Sequence, residues 1–157
     1  MKKILIALDY DPLAERVAAT GYAIAKAFTA EVLLLHVVAE PAYYSTTEYS
    51  PIMGFSGFSG PEIADYSENL KKEAVRFLEE SRIHLGDPAI DILVAEGDFA
   101  DAIIKTASEF NADLIVMGTQ HRKGLDKLIM GNLAEKILNS SSVPLLTIPA
   151  SDETKNK

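Results

Sequence analysis

Between Met117 and Leu133 the chain carries three glycines and its densest basic cluster. The run reads Met117-Gly118-Thr119-Gln120-His121-Arg122-Lys123-Gly124-Leu125, followed by Met130-Gly131-Asn132-Leu133. An apolar segment ends at Gly118, Gly124 lies within the loop, and Gly131 is placed to open a helix. Glycine lets backbone N–H groups approach an anion closely and tolerates positive φ. A helix starting at Gly131 would aim free N–H groups and the positive end of its dipole at that anion. His121-Arg122-Lys123 adds cationic character in a chain of net charge −8. The chemistry on offer is a phosphate cradle. The same glycines also suit an ordinary strand-to-helix loop, and the basic triplet also suits a solvated face.

Other chemistries find less support. No Lys-Ser/Thr follows the second glycine, and there is no Gly-x-Gly-x-x-Gly, so neither a Walker loop nor a dinucleotide fingerprint is present. The absence of Cys excludes disulfides, thiolate zinc sites, iron–sulfur clusters and a cysteine nucleophile. His36, His84 and His121 have no metal-ligand spacing, and His36 falls inside an apolar run, as a satisfied core histidine would. No Gly-x-Ser-x-Gly elbow occurs. Asp9 and Asp11 offer carboxylates for Mg²⁺ beside a phosphate, although two carboxylates at a strand end are commonplace. Asp98 and Asp101 favour a helix start through its dipole.

The elements that must position these residues alternate regularly. Ile4–Leu8 is a continuous apolar run, as expected of a strand buried on both faces. Asp11 is placed as a helix N-cap with Pro12 at the first helical position. Leu13, Val17, Gly21, Ile24 and Phe28 then form one apolar stripe. Val32–Val38 is a second strand, and Leu70, Ala74, Phe77, Leu78 and Leu85 mark a long charged helix. Ile90–Val94 is a third strand, punctuated by Gly97 and Asp98, and Ala102, Ile103, Ala107 and Phe110 mark the next helix. Asp113–Met117 is a fourth strand, Leu128, Leu133, Ile137 and Leu138 place a last helix after Gly131, and Val143–Ile148 is a fifth strand. Such alternation implies an α/β fold of right-handed parallel crossovers with helices on both faces of an open sheet. Ligands of such sheets bind beyond the carboxyl ends of the strands, where the winding reverses. The loops after Leu8, Val38, Ala95 and Met117 are therefore the ones to inspect.

Two stretches break the rhythm. Residues 39–60 form a long loop bearing Tyr43, Tyr44, Tyr49, Phe55 and Phe58, either a lid, a partner contact or disordered. Residues 151–157 form a polar tail expected to fray. The rest, residues 1–150, makes one domain. At 157 residues, 48% hydrophobic and 24% charged, the chain is ordinary globular material able to bury a core without staples. Fifteen Lys plus Arg against 23 Asp plus Glu argue against nucleic acid as the main partner. The apolar run after Met1-Lys2-Lys3 stops at Asp9, too short for a signal peptide, and no run approaches the roughly 20 residues that span a bilayer. A cytoplasmic protein without membrane contact is the expectation.

Residues Lys3–Asp9, Leu35-His36-Val37-Val38, the Gly97-Asp98 turn and the Gly118–Ile148 block resemble the universal stress protein family. The resemblance spans nearly the whole chain apart from the long loop and the tail. It implies a Rossmann-like five-stranded parallel sheet in the order 3-2-1-4-5 and a homodimer. The nucleotide-binding branch of the family carries Gly, two residues, Gly, nine residues, Gly, then Ser or Thr. Gly118 and Gly131 match the first and third glycines, whereas His121 replaces the second and Asn132 the Ser or Thr. Gly124 matches a further family glycine. The resemblance implies that Asp9 faces a ribose, that Ala7 and Leu8 flank the base, that Val37 walls it and that Met117 lies beside it. Gly118, Gln120, His121, Gly131, Asn132 and Leu133 would hold phosphates, with Arg122 and Lys123 adjoining. The implied cofactors are ATP and, with it, Mg²⁺.

Three readings follow. The first is an ATP-binding, stress-linked regulator with at most slow hydrolysis, since no general base is in evidence. The second is a dimeric interaction module whose pocket is altered at 121 and 132, acting on a client protein the sequence does not name. The third is an enzyme on an adenine nucleotide with His121 as acid. The apolar strand Val143–Ile148 falls at the sheet edge in the implied order, and such an edge invites antiparallel pairing with its own copy.

Overall fold

The computed structural model describes residues 1–39, 60–119 and 128–149, with side chains described outside 60–63 and 128–132. The elements run β1 (Lys3–Ala7), α1 (Ala14–Phe28), β2 (Glu31–Val38), α2 (Gly60–Leu85), β3 (Asp91–Glu96), α3 (Phe99–Phe110), β4 (Leu114–Gly118), α4 (Leu128–Ser140) and β5 (Leu145–Ile148). All strand pairs are parallel and the order is β3-β2-β1-β4-β5, as the resemblance implies. The order and tenor of the 39–60 loop and the 151–157 tail lie outside the described residues, apart from Ala39 and Gly60.

Side-chain alternation along the strands sorts the core into two halves. Ile4, Ile6, Leu8, Val32, Leu34, Leu114 and Val116 meet Leu13, Val17 and Ala18 of the first helical segment and Leu78 of α2. Leu5, Leu33, Leu35, Val37, Ile115 and Met117 meet Ala100, Ile103 and Ala107 of α3 and Ile137 of α4. β1 is flanked on both edges and covered on both faces, so Ile4, Leu5 and Ile6 are wholly excluded from water. That is why its sequence is continuously apolar rather than alternating. Among the described residues β3 has one neighbour, and Asp91, Leu93 and Glu96 are exposed.

Glycine at position 21 brings α1 onto the sheet. A Cβ there would lie 2.7 Å from Cδ1 of Ile6. The apolar stripe of α1 runs through Ala14, Val17, Ala18, Gly21 and Ala25. Phe28, expected to extend it, is 55% exposed. The helix has reached its last turn there, and the buried track has shifted to Ala25. The helix start also moves: Leu13, not Asp11, occupies the N-cap position, and no side chain caps it. Asp11 instead closes a short turn, accepting the Leu13 N–H on Oδ1 at 2.7 Å and the Ala14 N–H on its carbonyl at 3.1 Å. An Asp side chain bonding its backbone two residues on is a common alternative to capping. α3 does carry the expected cap, with the Asp101 N–H donating to Asp98 Oδ1 at 3.1 Å. No helix among the described residues is long and apolar enough to cross a membrane.

Candidate functional site

The winding of the sheet reverses between β1 and β4. Ala7 stands in register with Leu35 on one side and with Met117 on the other. The loops leaving β1 and β4 therefore flank one crevice at the carboxyl edge, where open parallel sheets take ligands. Ala7, Val37 and Met117 belong to the same face, that of α3 and α4. Ala7 is half-buried, while Val37 and Met117 are nearly covered, so they offer an apolar wall rather than an open shelf.

Leu8 lies on the opposite face, within the α1 and α2 half of the core. Its N–H donates to the Leu35 carbonyl at 2.8 Å, and its carbonyl accepts from Nδ1 of His36 at 2.8 Å. Because a carbonyl only accepts, Nδ1 must carry the proton. His36 is buried, 3% exposed, and its ring packs against Tyr10 at 4.4 Å and Phe77 at 5.7 Å between centroids. The core role expected of His36 is what the structure shows. This aromatic cluster gave no local sequence signal, since Tyr10 reads as a turn residue and Phe77 as one member of a helical stripe. It fixes the loop that carries Asp9. Asp9 is half-buried and accepts the Tyr10 N–H on Oδ1 at 2.8 Å.

Gly118 ends β4 at this edge. It has no positive φ, so conformational freedom is not why glycine stands there. A Cβ would instead lie 2.9 Å from Cδ2 of Leu13 and 3.1 Å from Cγ2 of Val17. The missing side chain lets α1 close down over β4. Thr119 follows and ties the loop base to β5, its N–H donating to the Ile148 carbonyl at 3.0 Å. Among the described residues, Gly97 after β3 carries a positive φ, 130°, and its N–H donates to the Val38 carbonyl at 3.1 Å.

Gln120, His121, Arg122, Lys123 and Gly124 lie outside the described residues. α4 begins at Leu128, a turn earlier than a start at Gly131. Leu128 and Met130 are good helix formers and extend the helix toward the loop. Gly131 and Asn132 are thus its fourth and fifth residues, and the free N–H groups of the helix start precede them. Leu133 is half-buried and packs against the α3 and α4 half of the core. Lys136, on the next turn of α4, spans to the start of α3, with Nζ 2.9 Å from Asp98 Oδ1 and 3.1 Å from Asp101 Oδ1. The Lys136 ammonium and the Asp101 N–H together hold the Asp98 carboxyl below its ordinary range. Asp98 and Asp101 were legible as a helix start; their clamp on a lysine 35 or more positions onward was not. Among the described residues no group of three or more His, Asp or Glu converges to hold a metal ion.

A family model for the universal stress protein family matches residues 1–149. The chain belongs to the universal stress protein family. It is 31% identical over 149 residues to universal stress protein MJ0531 of Methanocaldococcus jannaschii, covering 94% of this chain and 81% of that one. It is 26% identical to universal stress protein A of Salmonella typhi, over 97% and 96% of the two chains. The solved structure of MJ0577 superposes with a TM-score of 0.70 at 25% identity, over 96% of this chain and 97% of that one. A universal stress protein in complex with cAMP shares the fold, with a TM-score of 0.60 at 17% identity over 94% and 95% of the chains. The Rossmann-like sheet of this chain is thus the sheet of universal stress proteins.

Proposed function

We propose that this universal stress protein binds ATP or a related adenine nucleotide at the carboxyl edge and serves as a cytoplasmic stress-linked regulator rather than a fast catalyst. The observation that carries this reading is the register of Ala7 with Met117, which sets the Asp9 and Gly118 loops on one crevice. Ala7, Val37 and Met117 supply an apolar wall for the base, and Asp9 stands at the loop where a ribose would lie. Leu8 contributes position rather than contact, because both its backbone groups are engaged and its side chain faces α1. Gln120, His121, Arg122, Lys123, Gly124, Gly131 and Asn132 are the phosphate-side residues of the proposal. Mg²⁺ would arrive with the nucleotide, since Asp9 and Asp11 are the carboxylates near this edge and already accept local backbone N–H groups. A relative of the same fold is known in complex with cAMP, which supports an adenine ligand for the fold.

The test is direct. Freshly purified protein is denatured and the supernatant examined for adenine nucleotide, then the protein is titrated with Mg-ATP by calorimetry. Ligand at 100 times its Kd should stabilise the fold by about 2.7 kcal/mol. Gly131→Val should abolish binding and leave the fold intact. Neither released nucleotide nor heat at millimolar Mg-ATP would reject the proposal.

A second reading has its own support. Gly118 is accounted for by the approach of Leu13 and Val17, and α4 does not begin at Gly131. One feature that suggested a phosphate cradle therefore has a packing explanation, and a second does not stand at the helix start. On this reading the chain is a dimeric interaction module of the same fold. In either case we propose a homodimer through the outer edge of β5, where Leu145 and Leu146 are half-buried.

A further inference from the structure

α1 and α2 lie side by side on one face of the sheet, and the seam between them is incompletely filled. An open groove of about 340 Å³ runs between the first turns of α1 and the last turns of α2. Ala18, Phe77 and Leu85 are among its apolar lining residues. Short residues line it: Ala14 and Ala18, one turn apart on α1, and Ser81 of α2. The Ser81 hydroxyl donates to the Phe77 carbonyl at 2.9 Å and is satisfied within its own helix.

The walls are acidic. Asp11, Glu15 and Glu80 contribute three carboxylates, and among the described residues no Lys or Arg lines the groove. The lone basic lining group, the His84 imidazole, lies 2.7 Å from Glu15 Oε1. Glu80 is exposed and forms no ion pair among the described residues, although Glu73 and Glu79 on the same helix each face an arginine. Among the described residues Glu80 thus has no cation such as its helix neighbours have. An apolar trough edged by the Glu80 carboxylate, with Asp11 and Glu15 on the same rim, complements a cation on an apolar stem.

We propose that this groove docks a basic, apolar-anchored segment of a partner protein. A Leu or Phe side chain of that segment sits on Phe77 and Leu85, and flanking Lys or Arg side chains meet Glu80 and Glu15. The volume is near the lower end of the roughly 300–1,000 Å³ typical of small-ligand pockets, so the anchor is one or two side chains. The groove lies on the α1 and α2 face, away from the Ala7, Val37 and Met117 wall, and the inference does not rest on nucleotide binding.

The probe is a fluorescein-labelled amphipathic peptide of Lys, Arg, Leu and Phe, titrated with the full chain and followed by anisotropy at physiological salt. Glu80→Lys should weaken binding at least tenfold. Glu109→Lys makes the same change in net charge on α3, at a side chain 66% exposed, and should change it less than twofold. A peptide with Ser for every Leu and Phe, equal in charge, should lose binding. Ser81→Trp fills the groove without altering charge and should abolish binding, with a thermal melt confirming that it folds. Should that variant not fold, amide chemical-shift changes in the wild type should centre on Ala14, Ala18, Ser81 and Leu85. Equal weakening by Glu80→Lys and Glu109→Lys would overturn the proposal, leaving only attraction to a chain of net charge −8. Undiminished binding of the Ser peptide, or shift changes centred elsewhere, would overturn it too.

Discussion

A Cβ added to Gly118 would stand 2.9 Å from Cδ2 of Leu13, a residue itself 4% exposed. The end of β4 and the start of α1 are therefore matched in shape. Gly118→Ala should destabilise the fold by about 1–3 kcal/mol through overpacking. Leu13→Ala alone should cost about 2–5 kcal/mol through the cavity it leaves. In the double variant the new methyl occupies part of that cavity, so urea denaturation should return a loss smaller than the sum. Strict additivity would show that the two residues do not press on one another.

Thr29 ends α1 with φ of 54°, in the left-handed region, and its N–H donates to the Lys26 carbonyl at 3.2 Å. A β-branched residue is strained there, whereas Asn111, in the same role after α3 at φ 57°, is a better-tolerated choice. Thr29→Gly should raise stability by about 1 kcal/mol, read as an upward shift of Tm. A fall in Tm would mean that the Thr side chain supports the cap.

Asp113 anchors the start of the chain. Its Oδ2 accepts the Lys2 N–H at 2.6 Å and the Lys3 N–H at 3.0 Å. These two backbone donors hold the Asp113 carboxyl below its ordinary range. A carboxyl depressed in the folded state stabilises above its unfolded pKa, about 3.9, and loses that contribution as pH falls through the lower folded value. Asp113→Asn should therefore be less stable than wild type at pH 7, with the gap narrowing steadily below pH about 4. Denaturant midpoints from pH 7 to pH 2 check this; a constant gap would refute the linkage.

The proposed dimer makes its own demand. Sedimentation equilibrium at micromolar concentration should give about twice the chain mass. Leu146→Lys places a cation on the outer strand and should yield monomers. A monomeric wild type would remove the edge-to-edge arrangement from consideration.

Much of this architecture was legible because buried parallel strands advertise themselves. Ile4–Leu8 and Val32–Val38 are apolar runs punctuated by turn residues, and the sheet holds strands there, at Lys3–Ala7 and Glu31–Val38. Boundaries were less legible. Asp11-Pro12 looks like a cap and first turn, yet the Asp11 side chain closes its own turn, three residues before α1 begins. Periodicity carried the α1 stripe one turn too far, to Phe28, because it cannot see where the sheet stops beneath the helix. At the candidate site, the adjacency of the Asp9 and Gly118 loops followed from strand order. The reason for Gly118 did not, because the atoms that exclude a Cβ come from Leu13 and Val17, a hundred residues earlier. The His36 partnership with Leu8 and Tyr10 was hidden for the same reason: strand pairing, not spacing, creates it.

Of the described strands, the middle one precedes the other four in the chain and leaves the ribosome before them. β1 can pair with β2 early in synthesis, but its other edge has no neighbour until β4 emerges, more than a hundred residues later. Until then Lys3–Ala7 presents a bare row of amides and carbonyls beside apolar side chains, the kind of surface that recruits chaperones or aggregates. Nascent chains stalled before residue 114 should accordingly be protease-sensitive throughout, with protection arriving in one step once the fourth strand is free to dock.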